Sequence, residues 1–186
     1  MRSLPLVASA AFALHAAASE PASWRIDSAR SEARFEVTLR LPVHADGRFK
    51  KMDGEVTALP DFKRSVRVRL DARELKMGGP DWVQSYTVSE QFLDTGRYPA
   101  IEFQSLPFSE QVLISGGDLA GTLTLKAVSK PVLFKILPST CRRPGFTCPI
   151  VVAGTLNRSD FGMNSHRWSL RDAVSFEFQL RFEPHE

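Results

Sequence analysis

The chain has 186 residues, 43% of them hydrophobic, and a formal net charge of +3. This length suggests one domain, and the hydrophobic fraction is sufficient for a buried core. The charge is too small, and the arginines too scattered along alternating segments, to indicate a nucleic-acid partner. We therefore expect one globular domain whose arginines lie mainly on a solvated outer face.

The N-terminus is typical of an export signal. Arg2 supplies a positive charge, residues 4–18 are mainly apolar, and Ala16–Ala18 provide the small side chains of a cleavage site. We expect residues 1–18 to be removed, which leaves residues 19–186 as a single periplasmic domain. An uncleaved membrane anchor is the alternative, but the apolar run is short for a membrane span. No later run is long enough, and the mature protein should be soluble.

The strongest structural signal is the alternation of residues 31–41. Their apolar members are Ala33, Phe35, Val37, Leu39 and Leu41, and polar residues lie between them. A period of two places the two sets on opposite faces of a strand. Residues 173–182 show the same alternation, so we expect the first and last long strands to lie side by side.

Further strands are predicted at residues 24–27, 47–59, 65–75, 100–108, 111–115, 118–125, 130–137 and 149–158. Gly54 suggests a bulge or bend in its strand. Residues 81–92 follow a Gly-Gly-Pro break and predict short helical turns, the only helix expected. About eight main strands with short connections indicate an all-β, mainly antiparallel fold. It forms a barrel or a sandwich, and strand length favours the barrel.

The two cysteines bracket a turn. Cys141 and Cys148 flank a loop with Pro144-Gly145 at its middle, so two extended arms could bring the sulfurs together. In an exported protein this spacing predicts a structural disulfide. It would contribute about 2–3 kcal/mol on the chain-entropy model.

Polar residues give little support for catalysis or metal binding. No two histidines have a ligand-pair spacing. Ser165 and His166, with Asp160 and Asp172, contain the residue types of a catalytic triad, but no nucleophile elbow accompanies them. We expect a non-enzymatic protein without a metal.

Thirteen phenylalanines are the unusual feature of the composition. On most strands the inward parity carries Phe, Val, Leu or Ile. An eight-stranded barrel is wide enough either to be filled by side chains or to hold one small ligand. The pattern leaves a packed core and a lined tunnel equally open.

Several blocks of the mature chain resemble one known family. They are Trp24–Val37, Gly47–Phe49 with Asp53-Gly54, Ser89–Asp94 with Tyr98–Ser105, Gly121–Leu125 with Lys130–Val132, and Asn157–Met163. In these blocks the chain resembles the YceI-like family, exported proteins with a lipocalin-like barrel that bind polyisoprenoids. Departures are Pro80-Asp81, where the family often has Arg-Asp, and the Cys141–Cys148 loop.

The resemblance implies an eight-stranded antiparallel lipocalin-like barrel around a polyisoprenoid or isoprenoid quinone, with no other cofactor. It also implies that two copies can pair as a homodimer. The side chains expected to line an apolar tunnel are Phe35, Val37, Leu39, Phe49, Val68, Leu70, Trp82, Phe92, Phe103, Leu123, Phe134, Val152, Phe161, Phe176 and Phe178.

A polar head group on such a ligand needs hydrogen-bond donors, which Arg158, His44 or His166 could supply. Arg158 continues the inward parity of its strand, which predicts either a head-group contact or a buried ion pair. The alternative function is a ligand-free barrel that acts as an adaptor between envelope proteins. That protein would have a filled interior and an exposed apolar patch.

Overall fold

The computed structural model describes residues 23–39, 44–166 and 168–184, without the side chains of Leu39 and His44. The predicted signal peptide, residues 1–18, lies outside this part of the chain. None of the described helices is long and apolar enough to cross a membrane.

Twelve strands form a single sheet, and every neighbouring pair is antiparallel. The strands are β1 (Ser23–Arg25), β2 (Glu32–Leu39), β3 (His44–Phe49), β4 (Met52–Leu59), β5 (Lys63–Asp71), β6 (Leu75–Met77), β7 (Ala100–Ser105), β8 (Phe108–Ser109), β9 (Gly117–Leu125), β10 (Val128–Ile136), β11 (Ile150–Asn157) and β12 (Leu170–Leu180). The helices are α1 (Asp81–Val88), α2 (Val112–Ser115) and two 3-10 helices, Ala72–Glu74 and Arg158–Phe161.

The sheet curls back on itself. Its order is β1-β4-β5-β7-β9-β10-β11-β12-β2-β3-β6, and β8 pairs with β5. Only Lys50 and Lys51 separate β3 from β4, and only a 3-10 helix separates β5 from β6. Backbone bonds from Lys50 N to Glu74 O (3.2 Å) and from Asp71 N to Lys51 O (3.1 Å) join these two bends. With β1–β2, β3–β4 and β5–β6 taken as bent strands, and the two-residue β8 left outside the main order, the fold is the expected eight-stranded lipocalin-like barrel.

The first and last long strands pair as expected. Phe35 of β2 lies opposite Phe176 of β12, and Val37 lies opposite Val174. Phe35 and Val37 are buried, whereas Arg34 and Glu36 on the other parity are exposed. The alternation of the sequence therefore does separate an inner from an outer face, and β2 lies at the seam of the barrel.

Three details of the sequence-based assignment are wrong. The helix in residues 81–92 is not the only one, since α2 and two 3-10 helices are also present. Residues 111–115 are not a strand but contain α2, because a short apolar run has no period that separates helix from strand. The break in residues 47–59 falls at Lys50 and Lys51, not at Gly54. Gly54 is instead required by close packing, since a Cβ there would meet the carbonyl oxygen of Arg67 on β5.

A candidate ligand-binding cavity

An apolar cavity lies inside the curl of the sheet. The part of it that can hold a water-sized sphere has a volume of about 70 Å³. The whole space between the lining atoms is about 870 Å³ and is partly open to solvent. Every lining side chain is aliphatic, aromatic or a methionine. The lining residues are Phe35, Phe49, Val66, Val68, Leu70, Phe92, Leu93, Ile101, Phe103, Leu119, Leu123, Leu125, Phe134, Val152, Leu156, Met163, Phe176, Phe178 and Leu180.

Six phenylalanine rings form a continuous chain along one side of this cavity. Successive centroids lie 5.4–6.3 Å apart, within the range of favourable edge-to-face and offset contacts. The chain runs Phe49–Phe35 (5.6 Å), Phe35–Phe176 (6.0 Å), Phe176–Phe178 (6.3 Å), Phe178–Phe134 (5.8 Å) and Phe134–Phe103 (5.4 Å). The rings both pack on one another and border the cavity, so side chains do not fill the interior completely.

Most of the side chains predicted to line a tunnel meet at this cavity. Eleven of the fifteen do so: Phe35, Phe49, Val68, Leu70, Phe92, Phe103, Leu123, Phe134, Val152, Phe176 and Phe178. They come from eight different strands and the turn after α1. Their contact with a ligand stays a prediction.

Three other predicted tunnel residues, Val37, Phe161 and Trp82, do not line it in the described structure. Val37 and Phe161 are buried in the core outside the cavity. The side chain of Leu39 lies outside the described residues. Trp82 is 64% exposed in the first turn of α1, because that helix buries Thr87 instead.

Eight further lining residues escaped the sequence-based prediction. Six of them share the inward parity of strands that were already assigned, so the alternation alone could have found them: Val66, Ile101, Leu119, Leu125, Leu156 and Leu180. The remaining two, Leu93 and Met163, lie in turns. Nothing in the sequence pattern marks a turn residue as inward-facing.

Arg158 binds backbone carbonyls rather than the buried ion-pair partner considered for it, and its contact with a head group stays a prediction. It lies in a 3-10 helix and is only 2% exposed. Its Nη1 donates to the carbonyl oxygens of Met163 (2.6 Å) and Ser165 (2.8 Å), and its Nε donates to that of Arg171 (3.2 Å). Among the described residues its partners are thus backbone carbonyls rather than a carboxylate. Arg158 holds the loop that carries Met163 over the cavity.

The α1 end of the cavity carries an aromatic cluster. Tyr86 of α1 contacts Phe92 (6.0 Å between centroids) and meets His166 edge-on (5.0 Å). Burial raises the pKa of the Tyr86 phenol, while the charge of Arg158 and the Ser165 hydroxyl act against this shift. His166 is exposed, so it remains available to a head group. The side chain of His44 is outside the described part.

A YceI-like domain model matches residues 24–183. The chain belongs to the YceI-like family. Among solved structures, BcnA of Burkholderia cenocepacia is similar to this YceI-like chain with a TM-score of 0.67 and 19% identity, over 83% of this chain and 98% of BcnA. A polyisoprenoid-binding domain of Saccharophagus degradans, implicated in plant cell wall breakdown, gives 0.64 and 14%, over 87% and 98%.

The YceI protein of Campylobacter jejuni gives a TM-score of 0.56 and 18% identity, over 75% of this chain and 85% of its own. At these identities the structures show that the fold is shared. No curated protein matches the chain significantly.

The end of this YceI-like barrel opposite α1 is covered by the predicted disulfide loop. Cys141 and Cys148 are bonded, which confirms that prediction. The loop places Phe146 against Trp24 (5.6 Å) and Phe182 (5.2 Å), and Trp24 also contacts Phe182 (5.3 Å). Three aromatic rings therefore close this end, and the disulfide holds one of them in place.

Proposed function

We propose that this YceI-like domain binds one polyisoprenoid chain, or the tail of an isoprenoid quinone, inside the barrel. It holds or carries that lipid in the periplasm, to which residues 1–18 direct it. The observation that carries the proposal is a cavity lined only by apolar side chains, contributed by strands all around the sheet. The polyisoprenoid-binding domain of similar fold from Saccharophagus degradans supports the same ligand class.

The physical fit is between a thin apolar chain and a narrow apolar cavity. Each buried methylene contributes about 0.8 kcal/mol, so an isoprenoid tail gains affinity from burial alone and needs few directed bonds. The free volume is small, which favours a slender chain over a bulky ring system in the middle of the barrel. Entry requires the lining rings to turn aside, and aromatic faces remain in contact with the chain when they do.

The arrangement of the polar residues supports ligand binding better than it supports catalysis. The residue types of a triad are not assembled: Asp172 accepts from Ser159 N (3.0 Å) and Oγ (2.6 Å), while His166 packs on Tyr86. In the described ranges no three His, Cys, Asp or Glu side chains could share a metal ion. The protein therefore acts on its ligand by sequestering it.

The experiment is a series of prenyl alcohols of increasing length, titrated against the purified mature domain. Affinity should rise with each isoprene unit and level off once the chain is longer than the cavity. A series of short, water-soluble aromatic alcohols is the control and should bind weakly. No binding of any prenyl alcohol would contradict the proposal and would favour the ligand-free adaptor.

A further inference from the structure

One arginine lies inside the barrel. Arg64 of β5 shares the inward parity of Val66, Val68 and Leu70, and the residue is only 8% exposed. The neighbouring Arg67 and Arg69 are on the opposite parity and face solvent. Arg64 therefore departs from the rule that places arginines of alternating strands on the outer face, and its burial needs a reason.

Arg64 does not line the cavity itself but lies beyond the end of it that faces away from α1. Val66 lines the cavity, and Arg64 is the next inward position on β5 towards the aromatic cap. Its guanidinium carbon stands 4.1 Å above the ring of Trp24. The end of β12 leads to the same place, since Leu180 lines the cavity and Phe182 packs on Trp24. The guanidinium thus lies between the last apolar lining residues and the cap.

This guanidinium has unused hydrogen-bond donors. Nη2 pairs with Glu110 Oε2 at 2.9 Å. Nε and Nη1 are both buried, and no acceptor reaches them in the described part of the chain. Buried donors without an acceptor are rare in folded proteins, because they lose their bonds to water and gain nothing in return. An acceptor supplied by a ligand would satisfy them.

We propose that Arg64 forms a polar subsite beyond this end of the cavity, where its Nε–H and Nη1–H bind an uncharged carbonyl or hydroxyl oxygen at one terminus of the lipid. This inference rests on the proposed function and specifies the ligand class. Glu110 already balances the charge of Arg64. A phosphate or carboxylate would bring an unbalanced negative charge into an apolar enclosure, which is costly, whereas a neutral oxygen is not.

The subsite fixes the direction of the ligand. A lipid with one oxygen-bearing end binds with that end beneath the ring of Trp24 and its tail pointing towards α1. The Cys141–Cys148 loop packs Phe146 against Trp24, so apolar rings border this subsite. The hydrogen bonds then form in a surrounding of low polarity, where they are strongest.

The position of the oxygen-bearing end of the ligand can be tested with a quinone that quenches tryptophan fluorescence. The chain has three tryptophans, Trp24, Trp82 and Trp168. A Trp82→Phe, Trp168→Phe variant keeps only Trp24, and a Trp24→Phe variant keeps the two exposed ones. A benzoquinone with a short prenyl tail should quench the first variant strongly and the second weakly. Strong quenching only in the second would place the ring at the α1 end and overturn the inference.

The donors can be tested by substitution. Arg64→Met keeps most of the volume and removes every donor, and Arg67→Met is the control, since Arg67 is an exposed arginine on the outer face of the same strand. Arg64→Met should weaken binding of the prenyl benzoquinone roughly tenfold, as expected for loss of hydrogen bonds to a charged donor. It should leave binding of a prenylbenzene with the same tail unchanged or tighter. Arg67→Met should alter neither.

The outcomes separate the two proposals. If neither probe binds the unaltered protein, the proposed function fails and this inference with it. If both probes bind the unaltered protein and Arg64→Met equally well, lipid binding stands and the polar subsite is wrong. Should Arg64→Met not fold, the quenching measurement decides, because it uses the native arginine.

Discussion

Gly47 offers the sharpest perturbation of the cavity. It lies directly opposite Phe35 in the pairing of β3 with β2, and the Phe35 ring lies over it. A Cβ at this position would stand 2.5 Å from Phe35 Cε1, 2.6 Å from Phe35 Cζ and 2.6 Å from Met77 Sδ. Favourable carbon contacts lie at about 3.5–4.0 Å, so the ring must move by about 1 Å. The cavity is the free space beside it.

Gly47→Ala should therefore cost about 1–3 kcal/mol of unfolding free energy through overpacking. It should also lower affinity for a prenyl alcohol, because Phe35 then occupies part of the space for the tail. Urea unfolding and ligand titration measure the two effects. Gly96→Ala is the matched control, since a Cβ there would meet nothing within 4 Å. Equal affinities for the two variants would refute the assignment of Phe35 to the binding cavity.

Three further predictions concern stability and can be checked by denaturant unfolding. Replacing Cys141 and Cys148 by serine should cost about 2–3 kcal/mol, and the same loss should follow reduction of the unaltered protein; no loss would show that the loop does not depend on its closure. Hydrogen bonds from Arg73 lower the pKa of Asp71 from 3.8 to about 2. Asp71 should therefore stabilise the fold above pH 3.8, and this stabilisation should be lost as the pH falls towards 2. The difference in unfolding free energy between Asp71→Asn and the unaltered protein should shrink over the same pH range. Arg158→Met should cost about 3 kcal/mol or more, because three backbone carbonyls lose a buried cationic donor; a cost below about 1 kcal/mol would contradict that role.

The alternation of apolar and polar residues was sufficient to predict which side chains of β2 and β12 face the inside of the barrel. The period of two in β2 and β12 put Phe35, Phe176 and Phe178 on one face, and these rings do meet across the seam. Any strand buried on one face must show this pattern, and a one-residue shift would invert it. The pairing of the first with the last long strand followed from the same pattern.

The orientation of side chains in turns and at helix ends could not be predicted from the alternation. Trp82 belongs to a helix whose spacing is mixed, so its exposure depends on how α1 docks and not on a period. Arg158 was expected to continue the parity of β11, but the strand ends at Asn157 and the chain turns into a 3-10 helix. The guanidinium consequently meets the carbonyls of Met163 and Ser165 in the following loop and of Arg171 at the start of β12, up to 13 residues away in sequence.

Arg64 was missed for a different reason. The expectation that arginines in alternating strands face solvent is sound for Arg67 and Arg69, whose parity is polar. Arg64 has the parity of Val66 and Val68, so the alternation contains the signal. Reading it required the strand to be extended to Lys63, two residues before the predicted start. A strand boundary that is wrong by two residues can therefore hide an inward-facing charged side chain.

The most direct test of lipid binding is the mass of what co-purifies with the protein. The protein is isolated under mild conditions from the cells that produce it, and its lipid is extracted and identified by mass spectrometry. The account predicts one isoprenoid lipid per barrel, with an uncharged oxygen at one end. Protein that is repeatedly free of lipid, and that also fails to take up a prenyl quinone, would contradict it.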